Sequence, residues 1–519
     1  MKRRNFLISL GSIAGGMSTL PLFSFDRAKP VSQTQDYRNV SLQPSSRSKM
    51  MQRIGKPIRV KPVLLYDLLE RKESASWREW GGLNTRNDVD KEVVRINNEL
   101  QNIKSYADFS MEILPLMEVN TDQKANKAKN TDCDVILLYA AGTAGNTMYD
   151  QKRLDQITTA GKDVIVFLRH KSGPVYLWYE IAHTKLLRSG TDDMTHKNMG
   201  LHDIVVDDYN KVLVRLRALY GLKNIRNTKI LAINGIGGWG SGSDYVKEAI
   251  DNTWHLDVKA IEMKELQSLV EKKQKNSSIV RKAREDVEKY VSQSTILSVN
   301  TPDKYMTNTF ILYYAFKDLM EKYDAEGITI QGCMGIGQFV DTTACLAFAL
   351  VNDEGLMAFC ESDFTVIPSG ILLRHIAGKP VFLNDPTFPH DGITTCAHCH
   401  SPRRMNGKDL EPTHIHTHFE SDHGAAPKVQ YRKGQVITNI IPNFHHNKWV
   451  AFTGKIIDHP FYAICRSQFD CTIDGDWEKL LQDMRGFHWM TCYGDYMQEM
   501  EYATHKVGIE MENLSRKTT

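Results

Sequence analysis

The chain has 519 residues, 41% of them hydrophobic and 24% charged. Those proportions exclude collagen-like, wholly disordered and multi-span membrane proteins, and at ~150 residues per domain the length predicts three to four domains. The 65 Lys and Arg against 62 Asp and Glu leave a net charge of +3, too little for a nucleic-acid binder that works by neutralising phosphates.

Lys2-Arg3-Arg4-Asn5-Phe6-Leu7 opens the chain, and a moderately apolar run extends from Phe6 to Phe25. A charged start followed by such a run is a targeting segment. The paired arginines before Phe-Leu match a twin-arginine export signal, with an ordinary secretory signal or an anchor as alternatives. Gly11, Gly15, Gly16 and Pro21 interrupt the run and would span a bilayer poorly. Residues 1–30 are therefore read as the signal, and residues 31–55, rich in Ser, Gln, Pro and basic groups, as a linker. The mature chain is expected to be soluble, with no membrane partner, in the periplasm or outside the cell. Its nine cysteines are odd in number and eight follow residue 330. A chain this long needs no staples, so most are expected as free thiols.

From residue 56 to 225, short apolar runs alternate with amphipathic ones. KPIRVKPVLLY, CDVILLYAAG and KDVIVFLR read as buried strands and VDKEVVRINNELQNI as a helix. DIVVDDYNKVLVRLRALYGL reads as a strand and a helix, with Gly221 near the helix end. A second α/β unit, residues 226–377, opens with the strand TKILAING. The turn Gly235-Ile236-Gly237-Gly238-Trp239-Gly240 follows. Its spacing is not the dinucleotide fingerprint, and a tight turn at the carboxyl edge of a sheet is the expectation. VKAIEMKELQSLVEKKQ and VRKAREDVEKYVSQ read as solvated helices, NTFILYYAFKDLMEKYDA as a further helix and GITIQGC as a strand. In residues 378–519, HIHTHFES, KVQYRKGQVITNII, KWVAFTGKII and FYAICRSQF read as strands of a mainly antiparallel β domain, with late helices at DWEKLLQDM and YMQEMEYATHKVGIEME. The fold class is thus α/β: two Rossmann-like sheet domains followed by a mainly antiparallel C-terminal β domain.

Nine of the 18 histidines fall between His390 and His446, which points to metal or proton chemistry or to a polar β segment that uses histidine. Within that stretch Cys396-Ala397-His398-Cys399-His400 is a literal C-x-x-C-H, the pattern of c-type haem attachment. Export of an already folded chain conflicts with that chemistry, and no second Cys pair supports zinc. A second candidate is the acid pair Glu361 and Asp385, 385 − 361 = 24 residues apart, each at the end of an apolar strand-like run. The helix between them is expected to place the two strands side by side, so both acids face one site, a hard oxygen set suited to Mn²⁺ or Mg²⁺. On the residues alone, a helix cap at Glu361 and a Pro turn at Asp385 explain the acids equally well.

Several motifs occur in order from Gly327 to Glu512. They are ITIQGC, CESDF, FLNDP, TTCAHCH, THFESDHGAA, GQVIT, ICRSQF and GFHWMTCYGD, closed by KVGIEME. This series resembles the L-fucose isomerase and L-arabinose isomerase superfamily, particularly its fucose-isomerase-like branch. The resemblance implies an aldose–ketose isomerase that uses a divalent ion, usually Mn²⁺, on a deoxy- or pentose sugar. It implies Glu361 and Asp385 as catalytic acids and metal ligands, and His488 as the third ligand. His398 falls on a histidine that is a direct ligand in the arabinose branch, and is grouped here with Gln331, His418 and Arg466 as substrate-binding. Trp489 follows His488 where relatives often carry a second His or a small residue, and is expected as an aromatic wall of the sugar pocket. CAHCH exceeds the AHC that the family needs. Relatives form trimers or hexamers, so a homo-oligomer is expected, and the export signal departs from their cytoplasmic location. A non-catalytic exported sugar-binding protein of the same fold is the alternative.

Overall fold

The computed structural model describes residues 55–68, 83–142, 152–176, 199–240, 242–445, 447–482 and 486–516. The signal segment, the linker up to residue 54 and His446 lie outside the described residues. The chain is mixed α/β, with parallel sheets first and an antiparallel, barrel-like sheet in the C-terminal part.

The first sheet holds β1 (Ile58–Leu65), β2 (Met111–Ile113), β3 (Met117–Val119), β4 (Val135–Ala140), β5 (Asp163–Leu168) and β6 (Ile204–Val206), in the order β2-β1-β4-β5-β6 with β3 also on β1. Every pairing is parallel, and β4 is buried along its whole length, as a strand covered on both faces must be. Pairing of β1 with β2 stops at Val60 and resumes with β3 at Val63. Pro62, with no N–H to donate, lies at that break. Helix Arg86–Tyr106 starts from a capping box, in which the Thr85 hydroxyl accepts the Asp88 N–H and the Asp88 carboxylate accepts the Thr85 N–H.

Helix Tyr209–Ile225, capped by Asp208, runs four residues beyond Gly221, so Gly221 is not a helix stop. A Cβ there would sit 2.5 Å from Ile376 Cγ1. The glycine instead lets this helix approach the fully buried helix Ile367–Ala377.

The second parallel sheet is β7 (Lys229–Ile233), β8 (Asp257–Ile261), β10 (Gly327–Ile330) and β11 (Met357–Phe359), in the order β11-β10-β7-β8. Chain direction across the sheet reverses between β7 and β10. Crevices outside the carboxyl ends at such switch points are where open α/β sheets hold ligands. The VKAI segment, read from its charge as the start of a helix, is β8. It is the sheet's edge strand, and its mostly open side chains hide the strand signal.

Between those strands, β9 (Ile296–Asn300) leaves the second sheet and pairs in parallel with β14 (Thr413–His416), which pairs antiparallel with β15 (Ala426–Val429). Backbone pairing therefore crosses the boundary expected at residue 377. The barrel-like sheet comprises β12 (Phe382–Pro386), β13 (Ile393–His398), β16 (Val436–Pro442), β17 (Lys448–Asp458), β18 (Ser467–Thr472), β19 (Trp489–Tyr493) and β20 (Glu510–Asn513). Its order is β16-β19-β12-β13-β18-β17-β20, and β16 also pairs with β17, closing a ring of six antiparallel strands. The side-by-side placement expected for the strands before Glu361 and Asp385 does not occur: β11 belongs to the second sheet and β12 to the barrel. Helix Ile367–Ala377 carries the chain from one to the other.

Candidate metal centre

The glycine-rich turn after β7 builds the first wall. The Gly237 N–H donates to Ser362 O at 3.1 Å, and the Phe364 N–H donates back to Gly237 O at 3.0 Å. Ser362 Oγ donates to Gly235 O at 2.8 Å. A Cβ on Gly237 would lie 3.2 Å from both Ser362 O and Gln331 Nε2, so a side chain there would press on both neighbours. Glu361 and Ser362 both adopt left-handed backbone, at φ of +63° and +52°. That conformation is costly for side chains other than glycine, and the stitching to residues 235–237 holds it. Its effect is to turn the Glu361 carboxylate off the end of β11 toward the barrel. Glu361 is therefore not a helix cap; the helix that follows starts at Val366 without a side-chain cap.

The barrel supplies the rest. Asp385 lies within β12 rather than opening a turn, and His488 immediately precedes β19, the neighbour of β12. His488 Nε2 stands 3.2 Å from Asp385 Oδ1 and 3.5 Å from Glu361 Oε2. His398, the last residue of β13, places Nε2 3.7 Å from Glu361 Oε1. The structure thus brings Glu361, Asp385, His488 and His398 together at the junction of the second sheet with the barrel. Asp385 Oδ1, His488 Nε2 and His398 Nε2 are all buried without a directed hydrogen bond. Unpaired buried polar atoms are rare and costly. A protonated His488 or a cation would satisfy these atoms; Glu361, His398 and His488 each place a ligand atom within 4.8 Å of the others, and with Asp385 beside His488 the set would fit a divalent ion of the Mn²⁺ or Mg²⁺ type.

Asp363 orients His488. Its Oδ2 accepts from His488 Nδ1 at 2.7 Å, while its Oδ1 accepts the Trp239 N–H at 3.2 Å and the Thr365 N–H at 3.0 Å. Such a carboxylate–histidine pair leaves the lone pair of Nε2 free for a metal. Without an ion, burial works to lower the His488 pKa, but Asp363, Asp385 and Glu361 reverse it and raise it to about 11. Burial likewise works to raise the Glu361 pKa. The His488 and His398 imidazoles and the Trp239 N–H overcome it and hold it at about 2.

Trp239 and Asp363 were not among the residues expected at the site. Trp239 Nε1 donates to Glu361 Oε2 at 3.0 Å, and its ring stacks on Phe487 at 4.6 Å between centroids. Both rings are about half exposed, 48% and 46%, so they form an aromatic lip beside His488. The expected wall, Trp489, is elsewhere. Strand alternation sends it to the opposite side from His488, and it is fully buried in the barrel core, edge-on to Phe452.

Gln331, exposed at the end of β10, lies against Gly235 and Gly237. His418 bonds Ser421 Oγ at 3.0 Å, and Cys399 beside it holds its pKa above the ordinary value although burial works to lower it. Arg466 Nε donates to Thr417 O at 2.8 Å, and its main-chain N–H reaches Cys399 Sγ at 3.4 Å. His418 and Arg466 brace the segment around Cys399 rather than the carboxylates. The haem pattern also dissolves. Cys396 packs in the barrel core and Cys399 in a separate cluster with Cys345, so the two thiols present no common face. All nine cysteines are free, seven of them buried.

Neither family models nor curated proteins match this chain.

Proposed function

We propose that the protein is a metal-dependent aldose–ketose isomerase acting on a deoxy- or pentose sugar of the fucose or arabinose type by ene-diol proton transfer. The observation that carries the reading is the convergence of Glu361 and Asp385 on His488, with Asp385 Oδ1 and His488 Nε2 buried without a hydrogen-bond partner. The ordered motifs that resemble the L-fucose and L-arabinose isomerase superfamily support it, as do two parallel sheets set before an antiparallel, barrel-like one. Manganese is the proposed ion, and a homo-oligomer exported by the twin-arginine route, periplasmic or extracellular, is the proposed form.

Glu361, Asp385 and His488 would hold the ion, which supplies Lewis-acid polarisation of the two sugar oxygens at C1 and C2. Asp385, whose Oδ1 stands 3.2 Å from His488 Nε2, would take the proton from C2 and return it to C1. Glu361, engaged by the Trp239 N–H, stays anionic beside it. The hydroxyl proton of C2 passes to the oxygen of C1 as the carbon-bound proton of C2 passes to C1, so the exchange is balanced. The Trp239–Phe487 lip offers an apolar face to the C–H side of a sugar.

The test is incubation of the full chain with Mn²⁺ and L-fucose, L-arabinose and related aldoses, reading ketose formation, alongside Glu361→Gln and Asp385→Asn. No interconversion by wild type sinks the isomerase reading. Sugar binding that persists without metal and without turnover favours a non-catalytic exported sugar-binding protein.

A further inference from the structure

His398 and His488 both face Glu361, yet their second ring nitrogens meet opposite chemistry. His488 Nδ1 meets the Asp363 carboxylate, a pure acceptor, so that nitrogen keeps its hydrogen and Nε2 is the one left for an ion once its own proton is lost. His398 Nδ1 instead receives the main-chain N–H of Cys399 at 2.9 Å. A backbone N–H can only donate, so Nδ1 of His398 is the acceptor, and in a neutral imidazole the hydrogen then sits on Nε2. His400 Nδ1, also 2.9 Å from His398 Nδ1, must be the donor in that contact. Both rings are enclosed, at 4% and 1% exposure, and are set edge to face.

We infer that His398 contributes no metal ligand but an Nε2–H donor aimed into the site, where it takes an oxygen of the open-chain sugar, with Cys399 and His400 as the residues that fix its tautomer. The inference rests on the isomerase reading for the identity of the oxygen, and on geometry alone for the tautomer. Nε2 is buried without a hydrogen-bond partner and lies 3.7 Å from Glu361 Oε1. An N–H in that position strengthens its bond as negative charge grows on a substrate oxygen in the ene-diol state. It also accounts for CAHCH: the second histidine, beyond the AHC needed by resemblance, is the donor that pins the first. A soft-metal site at Cys360, His398 and His400, whose ligand atoms all lie within 4.8 Å of one another, is disfavoured because the lone pair of His398 Nδ1 is already spent on two donors.

The tautomer is read directly from ¹⁵N–¹H spectra of the metal-free full chain carrying ring-labelled histidine, with the His398 signal identified by its loss in His398→Gln. Hydrogen on Nε2 is expected; hydrogen on Nδ1 overturns the inference. Mn²⁺ titration of wild type, His398→Gln and His488→Gln then separates the two histidines. Affinity in His398→Gln should stay within about threefold of wild type, while His488→Gln should lose on the order of 100-fold or more. Equal losses in both overturn the inference and leave the metal centre standing. Equal binding by all three sinks the metal centre instead, and the spectrum still decides His398. In turnover, His398→Leu should lower kcat by on the order of 10²–10³-fold, with His398→Gln, which keeps an N–H, recovering part of it. A Zn²⁺ ion bound tightly by wild type and lost in Cys360→Ser would also overturn the assignment.

Discussion

Asp363 and His488 are joined by a 2.7 Å hydrogen bond between Oδ2 and Nδ1, across 125 residues of chain. Asp363 belongs to the strained loop that also carries Glu361, and His488 belongs to the barrel. This one bond therefore sets the histidine's tautomer and ties the two halves of the centre together.

Replacing Asp363 by Asn should keep the side chain's shape but allow its amide to face Nδ1 as a donor, which favours the wrong tautomer. Mn²⁺ affinity, measured by titration calorimetry, should fall about 10–100-fold. An unchanged affinity would show that His488 needs no orienting partner.

Metal binding should release a proton from His488. Its metal-free pKa is raised to about 11, so at neutral pH the ring is protonated and must lose that proton to become a ligand. Glu361, at about 2, is already anionic and contributes none. Mn²⁺ affinity should therefore rise about tenfold per pH unit from neutrality toward pH 11. Calorimetry in buffers of different ionisation enthalpy counts the proton; none released refutes the assignment. The same raised pKa stabilises the metal-free fold fully below about 6.5, and that contribution fades as pH rises through about 11. The lowered pKa of Glu361 acts oppositely, contributing above about 4.5 and lost as pH falls through about 2.

Trp239→Phe removes the N–H that Glu361 Oε2 accepts but keeps an aromatic face for Phe487. We expect KM for the sugar to rise by roughly three- to tenfold, in line with loss of one hydrogen bond to a charged group, with metal stoichiometry unchanged. Because Trp239 is half exposed and touches a metal ligand, Mn²⁺ should quench its fluorescence in wild type. Quenching of equal size in Trp239→Phe would place the reporter elsewhere.

Trp489→Leu should act on stability alone. The ring fills the barrel core beside Phe452, so its truncation should cost about 3 kcal/mol in chemical denaturation, without changing metal affinity or KM. A variant of unchanged stability with altered sugar affinity would return Trp489 to the pocket.

Legibility was uneven for physical reasons. Glu361, Asp385 and His488 each sit in a short motif whose residues also shape the local backbone, so their order along the chain marked them. Asp363 was visible only as a second acid in CESDF, without a sign of its partner. Trp239 was hidden because its role depends on a turn meeting residue 361 from 122 positions away. Trp489 was misplaced because adjacent residues of an extended strand face opposite ways, which a motif match does not reveal. His414 and His416, on β14, are partly exposed members of the three-stranded sheet, and most of the histidine excess lies off the centre.

By itself the sequence determined the alternation of buried parallel strands with helices, the β-rich C-terminal part, and the motifs that carry three of the side chains meeting at the candidate centre. Those follow from local periodicity and from residue types that only certain positions accept. The tertiary structure alone decided that β11 and β12 lie in different sheets, that Glu361 and Asp385 meet across their junction, and which nitrogen of each histidine faces the site. The meeting of the two acids depends on His488, which reaches Glu361 and Asp385 from more than 100 residues away and bonds Asp363 across 125 residues, while the proton on His398 is set by the neighbouring Cys399 N–H once the backbone there is fixed.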